Sequence, residues 1–220
     1  MKEPIVELTN VSLRSDRGDP VFQDLNFRLE PGRSAVITGP AGSGKTSLIE
    51  LLIGARFADS GAVEMFGDVL KRRRSGVVRR VRRKIGGIGG PFGLLPLLTV
   101  AENITLPLVI TGARKRIQRE KLLQALTEFS LLKQAGHYPN RLTRVEHTMV
   151  QLARAAVANQ PLIVFDEPLA GLDPKTYRRV IEYMTKVALS GRSMLTFMSE
   201  LPSREFPETD YYEIVNGALA

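Results

Sequence analysis

The chain has 220 residues, of which 43% are hydrophobic and 25% charged, so it can bury a sizeable core and is neither disordered nor fibrous. Its 31 Lys and Arg residues against 23 Asp and Glu residues give a formal net charge of +8. It contains no cysteine and two histidines, which excludes a disulfide scaffold and a thiolate or histidine-rich zinc centre and fits an intracellular compartment.

The first third of the chain predicts two strands, then a strand–loop–helix unit, and then a further strand. Short apolar runs at residues 5–8 and 24–29 are typical of strands. Residues 34–38 form a further short strand that runs into a glycine-rich segment, after which residues 46–53 repeat apolar positions at helical spacing. Residues 61–66 predict another strand.

The glycine-rich segment matches the phosphate-binding P-loop at all four specified positions. It reads Gly39-Pro40-Ala41-Gly42-Ser43-Gly44-Lys45-Thr46. In such a loop backbone N–H groups surround phosphate oxygens, Lys45 reaches the outer phosphates, and the Thr46 hydroxyl ligates Mg²⁺. The alternative is a glycine-rich turn with an incidental lysine, and the four positions match by chance in on the order of one chain in a hundred of this length.

Residues 71–84 carry most of the excess charge. They hold nine cations and no acid, which leaves 22 basic and 23 acidic residues in the rest of the chain. Because the remainder is close to neutral, the charge distribution argues against a broad nucleic-acid surface and favours a local contact. The local contact is with anionic lipid headgroups or a partner, and a solvated helix face is the alternative. Three valines here predict a short helix, and the glycines that follow, at positions 86, 87, 89, 90 and 93, predict an interruption of regular structure.

The second half of the chain alternates helices and buried strands. Helices are predicted at residues 116–129, 145–157 and 174–189, and strands at 162–165 and 194–198. The whole pattern predicts an α/β protein with a mainly parallel sheet and an α-helical insertion.

An acid pair ends the strand at residues 162–165. Asp166 would hold Mg²⁺ through water, and Glu167 would orient the attacking water or accept its proton. A solvated pair of acids at a strand end is the alternative interpretation.

Three further motifs resemble the nucleotide-binding subunits of ABC transporters over nearly the whole chain. They are Ala170-Gly171-Leu172-Asp173, similar to the D-loop with its aspartate at Asp173; the helix from Tyr138-Pro139 to Ala153-Arg154-Ala155, similar to the signature helix; and the run from Leu94 to Val100 with Glu102-Asn103-Ile104. The last is similar to the lipoprotein-release, macrolide-export and cell-division group of these ATPases.

The resemblance implies a P-loop NTPase core with an N-terminal antiparallel β part. It divides a single domain, residues 1–220, into a nucleotide-binding core (1–92 and 159–220) and a helical subdomain (93–158). It also implies ATP and Mg²⁺ as cofactors and a homo- or heterodimer of ATPase subunits docked beneath an integral membrane permease-like partner. No apolar stretch approaches the roughly 18 residues of a membrane span. The resemblance then implies a cytoplasmic protein held peripherally on the inner face of the cell membrane.

The chain departs from the family pattern at four motifs, which together involve six residues. Thr143, Arg144 and Val145 stand where the signature has a serine and two glycines, and Arg144 and Val145 are expected to direct side chains into the space where that family holds a partner's nucleotide. Gly90 stands at the Q-loop glutamine, and Ser199 at the switch histidine. Ser15 stands where the family has an aromatic residue that stacks on adenine.

These departures leave three hypotheses open. The first is a subunit that still cycles through ATP hydrolysis, slowly or beside an intact partner chain. The second is a degenerate subunit that binds ATP without hydrolysing it and acts as a regulatory clamp. The third is another P-loop function, such as a small-molecule kinase or a DNA-associated ATPase.

Overall fold

The computed structural model describes residues 3–202 and 205–220. The strands are β1 (Val6–Arg14), β2 (Pro20–Leu29), β3 (Ser34–Thr38), β4 (Ser60–Met65), β5 (Asp68–Val69), β6 (Ile85–Ile88), β7 (Leu162–Asp166), β8 (Ser193–Met198), β9 (Thr209–Val215) and β10 (Ala218–Leu219). The helices are α1 (Lys45–Leu52), α2 (Ser75–Arg83), α3 (Val100–Ile110), α4 (Lys115–Glu128), α5 (Arg144–Val157) and α6 (Pro174–Leu189).

The N-terminal part forms a four-stranded antiparallel sheet in the order β2, β1, β4, β5. Strands β1 and β2 extend well beyond the predicted residues 5–8 and 24–29. Their pairing is irregular, and Asn10 (φ 48°) and Asp24 (φ 50°) both have left-handed backbone. Polar residues at such irregularities interrupt the alternating pattern, which is why only the regular ends of these strands were predicted.

The main sheet has six strands in the order β10, β9, β3, β8, β7, β6. Neighbouring strands of this sheet are parallel, except that β10 pairs with β9 in an antiparallel arrangement. Every residue of β3, β7 and β8 is buried. Sheet strands covered on both faces read as continuous apolar runs, which explains why these strands were predicted nearly to the residue.

The prediction that the glycines after residue 85 interrupt all regular structure was wrong for the first two. Gly86 and Gly87 lie within strand β6, whose residues pair with β7 from Ile85 to Ile88. A side chain at Gly87 would overlap the ring of Phe92, which fills the space over the strand. The interruption begins at Gly89 (φ 79°) and Gly90 (φ 39°), where the chain turns.

Helices α3, α4 and α5 lie between β6 and β7 in the chain and pack on one another as the predicted helical insertion. The apolar interior divides into two clusters, one between the antiparallel sheet, α1 and the main sheet, and one between the main sheet, α6 and the helical insertion. No helix within the described residues is long and apolar enough to cross a membrane.

Candidate nucleotide-binding site

The glycine-rich loop joins the end of β3 to the start of α1, as the sequence predicted. Gly44 precedes the helix with a φ of 104°, a conformation that side-chain-bearing residues rarely adopt. A Cβ there would lie 2.8 Å from the Phe22 ring and 2.9 Å from the Val21 Cγ1 atom. Strand β2 of the antiparallel sheet therefore braces the loop from the outside, and only glycine fits at this point.

Lys45 is the first residue of α1 and is 8% exposed. Its Nζ donates to the carbonyl oxygens of Gly39 (2.5 Å) and Pro40 (3.2 Å), across the mouth of its own loop. The same ammonium lies 3.5 Å from the Glu167 Oε1 atom. A nearly buried cation thus sits between the loop and the acid pair of a different strand, where it can neutralise anionic oxygens.

Asp166 and Glu167 follow from the burial of β7. Asp166 is the last residue of that strand and is 9% exposed. Burial raises the pKa of the Asp166 carboxyl above its usual value, the neighbouring Glu167 carboxylate raises it further, and Lys45 opposes both effects. Glu167 leaves the strand with a φ of 47°, and its backbone N–H donates to the Phe197 carbonyl of β8.

Ser199 comes directly after β8 and contacts the same acid. Its hydroxyl donates to the Glu167 Oε1 atom at 2.5 Å and lies 3.5 Å from the Lys45 Nζ atom. The structure therefore brings the switch position, the P-loop lysine and Glu167 into one contact group.

The loop and the acid pair suit a hydrated Mg²⁺ ion. The Ser43 hydroxyl is buried and has no hydrogen-bond partner in the described part of the chain, so it remains available to a ligand. Thr46 is exposed on the first turn of α1, and Asp166 lies at the same edge of the main sheet, two strands away from β3. A hydroxyl and a carboxylate are hard oxygen donors of the kind that bind Mg²⁺ together with phosphate.

Gly90, at the Q-loop position, lies against the Asp166 side chain. A Cβ at Gly90 would overlap the Asp166 carboxylate, and one at Gly89 would overlap the Asp166 carbonyl oxygen. The turn therefore packs so closely against Asp166 that a residue with a side chain at position 89 or 90 would not fit.

Phe92, Gln151 and Arg154 hold this turn in place and were not assigned a role from the sequence. Gln151 Nε2 donates to the Phe92 carbonyl at 3.3 Å. Arg154 Nη2 donates to the same carbonyl, and Arg154 Nη1 donates to the Gly93 carbonyl at 2.9 Å. Burial lowers the pKa of Arg154 to about 10. The sequence signal for the Arg154 contacts was an arginine within residues 152–157 of helix α5, which are otherwise apolar.

Asp173 caps helix α6. Its Oδ1 accepts from the backbone N–H groups of Lys175 (3.0 Å) and Thr176 (3.1 Å), and its Oδ2 accepts from the Thr176 hydroxyl at 2.5 Å. These bonds, that of the Thr176 hydroxyl first, hold the pKa of the Asp173 carboxyl below its usual value. The aspartate of the D-loop motif therefore has a structural role as the N-cap of helix α6.

The signature segment begins helix α5. Thr143 is its N-cap and forms a capping box with Glu146. The expectation that the next two side chains enter the space of a partner's nucleotide stays a prediction. Arg144 turns back, lies against Gly171 and donates from Nη2 to the Ala170 carbonyl at 2.7 Å, while Val145 packs against the helical core.

Ser15 lies in the turn between β1 and β2 and offers no aromatic face. Its hydroxyl oxygen accepts from the backbone N–H groups of Arg17 (3.3 Å) and Asp19 (3.2 Å). The serine closes the turn, so its role here is local.

A phosphate-binding loop before a helix, braced by an antiparallel sheet, with acids on a neighbouring parallel strand and a helical insertion between them, is the arrangement of an ABC-type P-loop ATPase. The family model described as ABC transporter matches residues 22–170, and the chain belongs to that family. It is an ATP-binding subunit of the ABC type, which decides against an unrelated small-molecule kinase.

Individual relatives agree with this assignment. The lipoprotein-releasing system ATP-binding protein LolD 1 of Rhodopirellula baltica is 31% identical over 207 residues, 92% of this chain and 90% of that protein. The macrolide export ATP-binding/permease protein MacB of Burkholderia thailandensis is 31% identical over 199 residues, 89% of this chain and 30% of that protein. A solved dimeric ATP-binding cassette in a post-hydrolysis state, bound to ADP and Pi, superposes with a TM-score of 0.84 at 25% identity and covers 97% of this chain and 96% of that one. The similarity to lipoprotein-release and macrolide-export ATPases is confirmed.

Proposed function

We propose that this chain binds ATP together with Mg²⁺ at residues 39–46 and Asp166, hydrolyses it through Glu167, and couples that cycle to a permease-like membrane partner on the inner face of the cell membrane. The observation that supports hydrolysis best is the contact group of Lys45, Glu167 and Ser199. Glu167, which we do not assign to phosphate or Mg²⁺ binding, is held by Lys45 and Ser199 at the same edge of the sheet as the phosphate-binding loop.

The residues divide the chemistry between them. Backbone N–H groups of residues 41–45 and the positive end of α1 bind the phosphates, and Lys45 turns from its loop carbonyls to the outer phosphate oxygens. Thr46 and Asp166 would hold Mg²⁺, which when bound neutralises charge that develops on the phosphoryl oxygens. Glu167 orients a water and accepts its proton.

Phosphate release from the purified chain, with and without its membrane partner, tests this function. We expect turnover above that of a Lys45→Ala variant, and a loss of about 10²-fold or more in Glu167→Gln because a general base typically contributes that much. Nucleotide binding should survive in Glu167→Gln, since that residue does not hold phosphate. Rates equal to the Lys45→Ala control in both settings would refute hydrolysis.

A second candidate is a non-hydrolysing ATP-binding regulator. It is favoured by Arg144, whose side chain is occupied by the Ala170 carbonyl where the family pattern has glycine, and by Gly90, which presents no side-chain amide to the site. Thermal stabilisation by Mg²⁺ and ATP without phosphate release would support this candidate. Phosphate release that disappears in Glu167→Gln would exclude it.

The membrane partner would dock at a groove between α2 and α3. This cavity of about 430 Å³ has an apolar floor that includes Phe92, Leu95 and Ile110, and arginines Arg79 and Arg83 form one wall. Such a lining suits an amphipathic segment with an acidic edge. A double Arg79→Gln, Arg83→Gln variant should lose affinity for the partner while ATP binding is unchanged, and unchanged partner affinity would refute this placement.

The loop before α2 would face anionic lipid. Some cations of residues 71–84 are engaged within the chain, since Arg80 pairs with Asp68 and Arg82 donates to the Ile53 carbonyl. Exposed Lys71, Arg73 and Arg74 form no salt bridge with any described acid. Near an anionic surface each such charge is worth roughly 1 kcal/mol. Replacing these three with Gln should reduce sedimentation with phosphatidylserine vesicles, and indifference to the change would refute the contact.

A further inference from the structure

Glu167 depends on contacts from strand β8 on two sides. Its backbone N–H donates to the Phe197 carbonyl at 2.9 Å, and its Oε1 atom accepts from the Ser199 hydroxyl at 2.5 Å. Phe197 and Ser199 flank one residue at the end of the same strand. The left-handed backbone of Glu167, with φ at 47°, is therefore fixed on one side while its carboxylate is held from the other.

Within residues 3–202 and 205–220, the Glu167 carboxylate has two partners, Ser199 and Lys45. The two are not equivalent. The Lys45 Nζ lies 3.5 Å away and donates at shorter distance to the Gly39 carbonyl. When phosphates enter the loop, the same ammonium is drawn to them, because a doubly or triply charged anion competes successfully for one cation.

We propose that Ser199 is the positioning residue that holds Glu167 once nucleotide has taken Lys45. The hydroxyl donates to one carboxylate oxygen and leaves Oε2 free to accept a proton from water. This inference rests on the proposed hydrolysis and assigns a role to the position at which the family carries histidine. A serine hydroxyl is neutral over the physiological pH range, so it orients the carboxylate without adding a positive charge beside the phosphates.

The kinetic test compares Ser199→Ala and Ser199→Thr with the matched control Ser75→Ala. Ser75 is an exposed serine at the start of α2, and its hydroxyl forms no hydrogen bond among the described residues. We expect Ser199→Ala to lower kcat about tenfold with KM unchanged, because one hydrogen bond to a charged group is lost. Ser199→Thr, which keeps the hydroxyl, should recover most of the wild-type kcat, and Ser75→Ala should equal wild type. A wild-type kcat in Ser199→Ala, or a raised KM with kcat unchanged, would overturn the proposal.

A second measurement separates this inference from hydrolysis itself. Free energies of unfolding of wild type, Ser199→Ala, Glu167→Ala and the double variant are compared with Mg²⁺ and a non-hydrolysable ATP analogue bound. Non-additive effects would support the Ser199 contact even if the wild type releases no phosphate, in which case only the hydrolytic part of the proposed function fails. Additive effects would overturn the contact whether or not the chain hydrolyses ATP.

Discussion

Gly90 gives the sharpest test of how the site is built. In Gly90→Ala the new methyl group would overlap the Asp166 carboxylate, so either the turn after β6 or the aspartate must move. Overpacking of this kind costs about 1–3 kcal/mol. A non-glycine residue at a φ of 39° adds about 1 kcal/mol. The reduced freedom of the unfolded chain returns about 0.4–1 kcal/mol, so we expect a net loss of about 1–3.6 kcal/mol.

The matched control is Gly93→Ala, three residues further along. A Cβ at Gly93 has nothing within 4 Å, and its φ of −53° suits alanine. Urea unfolding should therefore leave Gly93→Ala equal to or slightly more stable than wild type. The displaced Asp166 should also weaken the thermal stabilisation that Mg²⁺ adds to ATP in Gly90→Ala. Equal stability of the two variants would refute the packing argument and with it the account of the Q-loop position.

The remaining predictions concern stability. Asp166→Asn should raise the free energy of unfolding of the nucleotide-free protein at neutral pH, because burial and Glu167 both disfavour the charged carboxylate; denaturant unfolding that shows a loss would contradict this. Gly76→Ala, in an open position of α2, should stabilise by about 0.5–1 kcal/mol on thermal unfolding, and destabilisation would contradict the free space there. Bonds from Thr143 hold the pKa of Glu146 below its usual value of 4.5, so the stability that Glu146 adds is present above that pH and is lost as the pH falls through the lowered value. The difference between wild type and Glu146→Gln should therefore shrink on acidification, and a difference that grows would refute the assignment.

The sequence was informative where structure is local. Strands β3 and β7 are buried on both faces and read as unbroken apolar runs, and the P-loop is a contiguous motif whose spacing carries its geometry. Strand β6 was missed because the space over its glycines is filled by Phe92 and Ile163 from other elements. From sequence alone, a glycine predicts an interruption of a strand. Knowing that another side chain fills the space above the glycine would change that prediction, but this contact is set by tertiary packing.

The contacts of the candidate site were beyond sequence reasoning for the same reason. Ser199 and Glu167 are 32 positions apart and meet because β8 lies next to β7 in the sheet. Arg144 and Ala170 are 26 positions apart and meet because α5 begins beside the segment that follows Glu167. The motif spacing identified Ser199 and Arg144 as departures from the family pattern. The residues that each of them contacts are decided by how strands and helices are placed in the fold.

Three of the departures from the family pattern, those at Gly90, Ser199 and Arg144, share one physical property, which bears on how the chain works with another subunit. Gly90 packs on Asp166, Ser199 bonds to Glu167, and Arg144 bonds to Ala170, so each altered position has its contact within its own chain. For Arg144 to act on a second subunit it must first leave the Ala170 carbonyl, and a hydrogen bond involving a charged group contributes about 1.5–3 kcal/mol. An anionic group brought by that subunit has to exceed this cost. The phosphate-binding half of the site needs no such exchange, because the loop at residues 39–46 and Asp166 are already at one edge of the sheet. We therefore expect nucleotide binding to depend on this chain alone. Any contribution of Arg144 to turnover should depend on the group that the second subunit brings next to it.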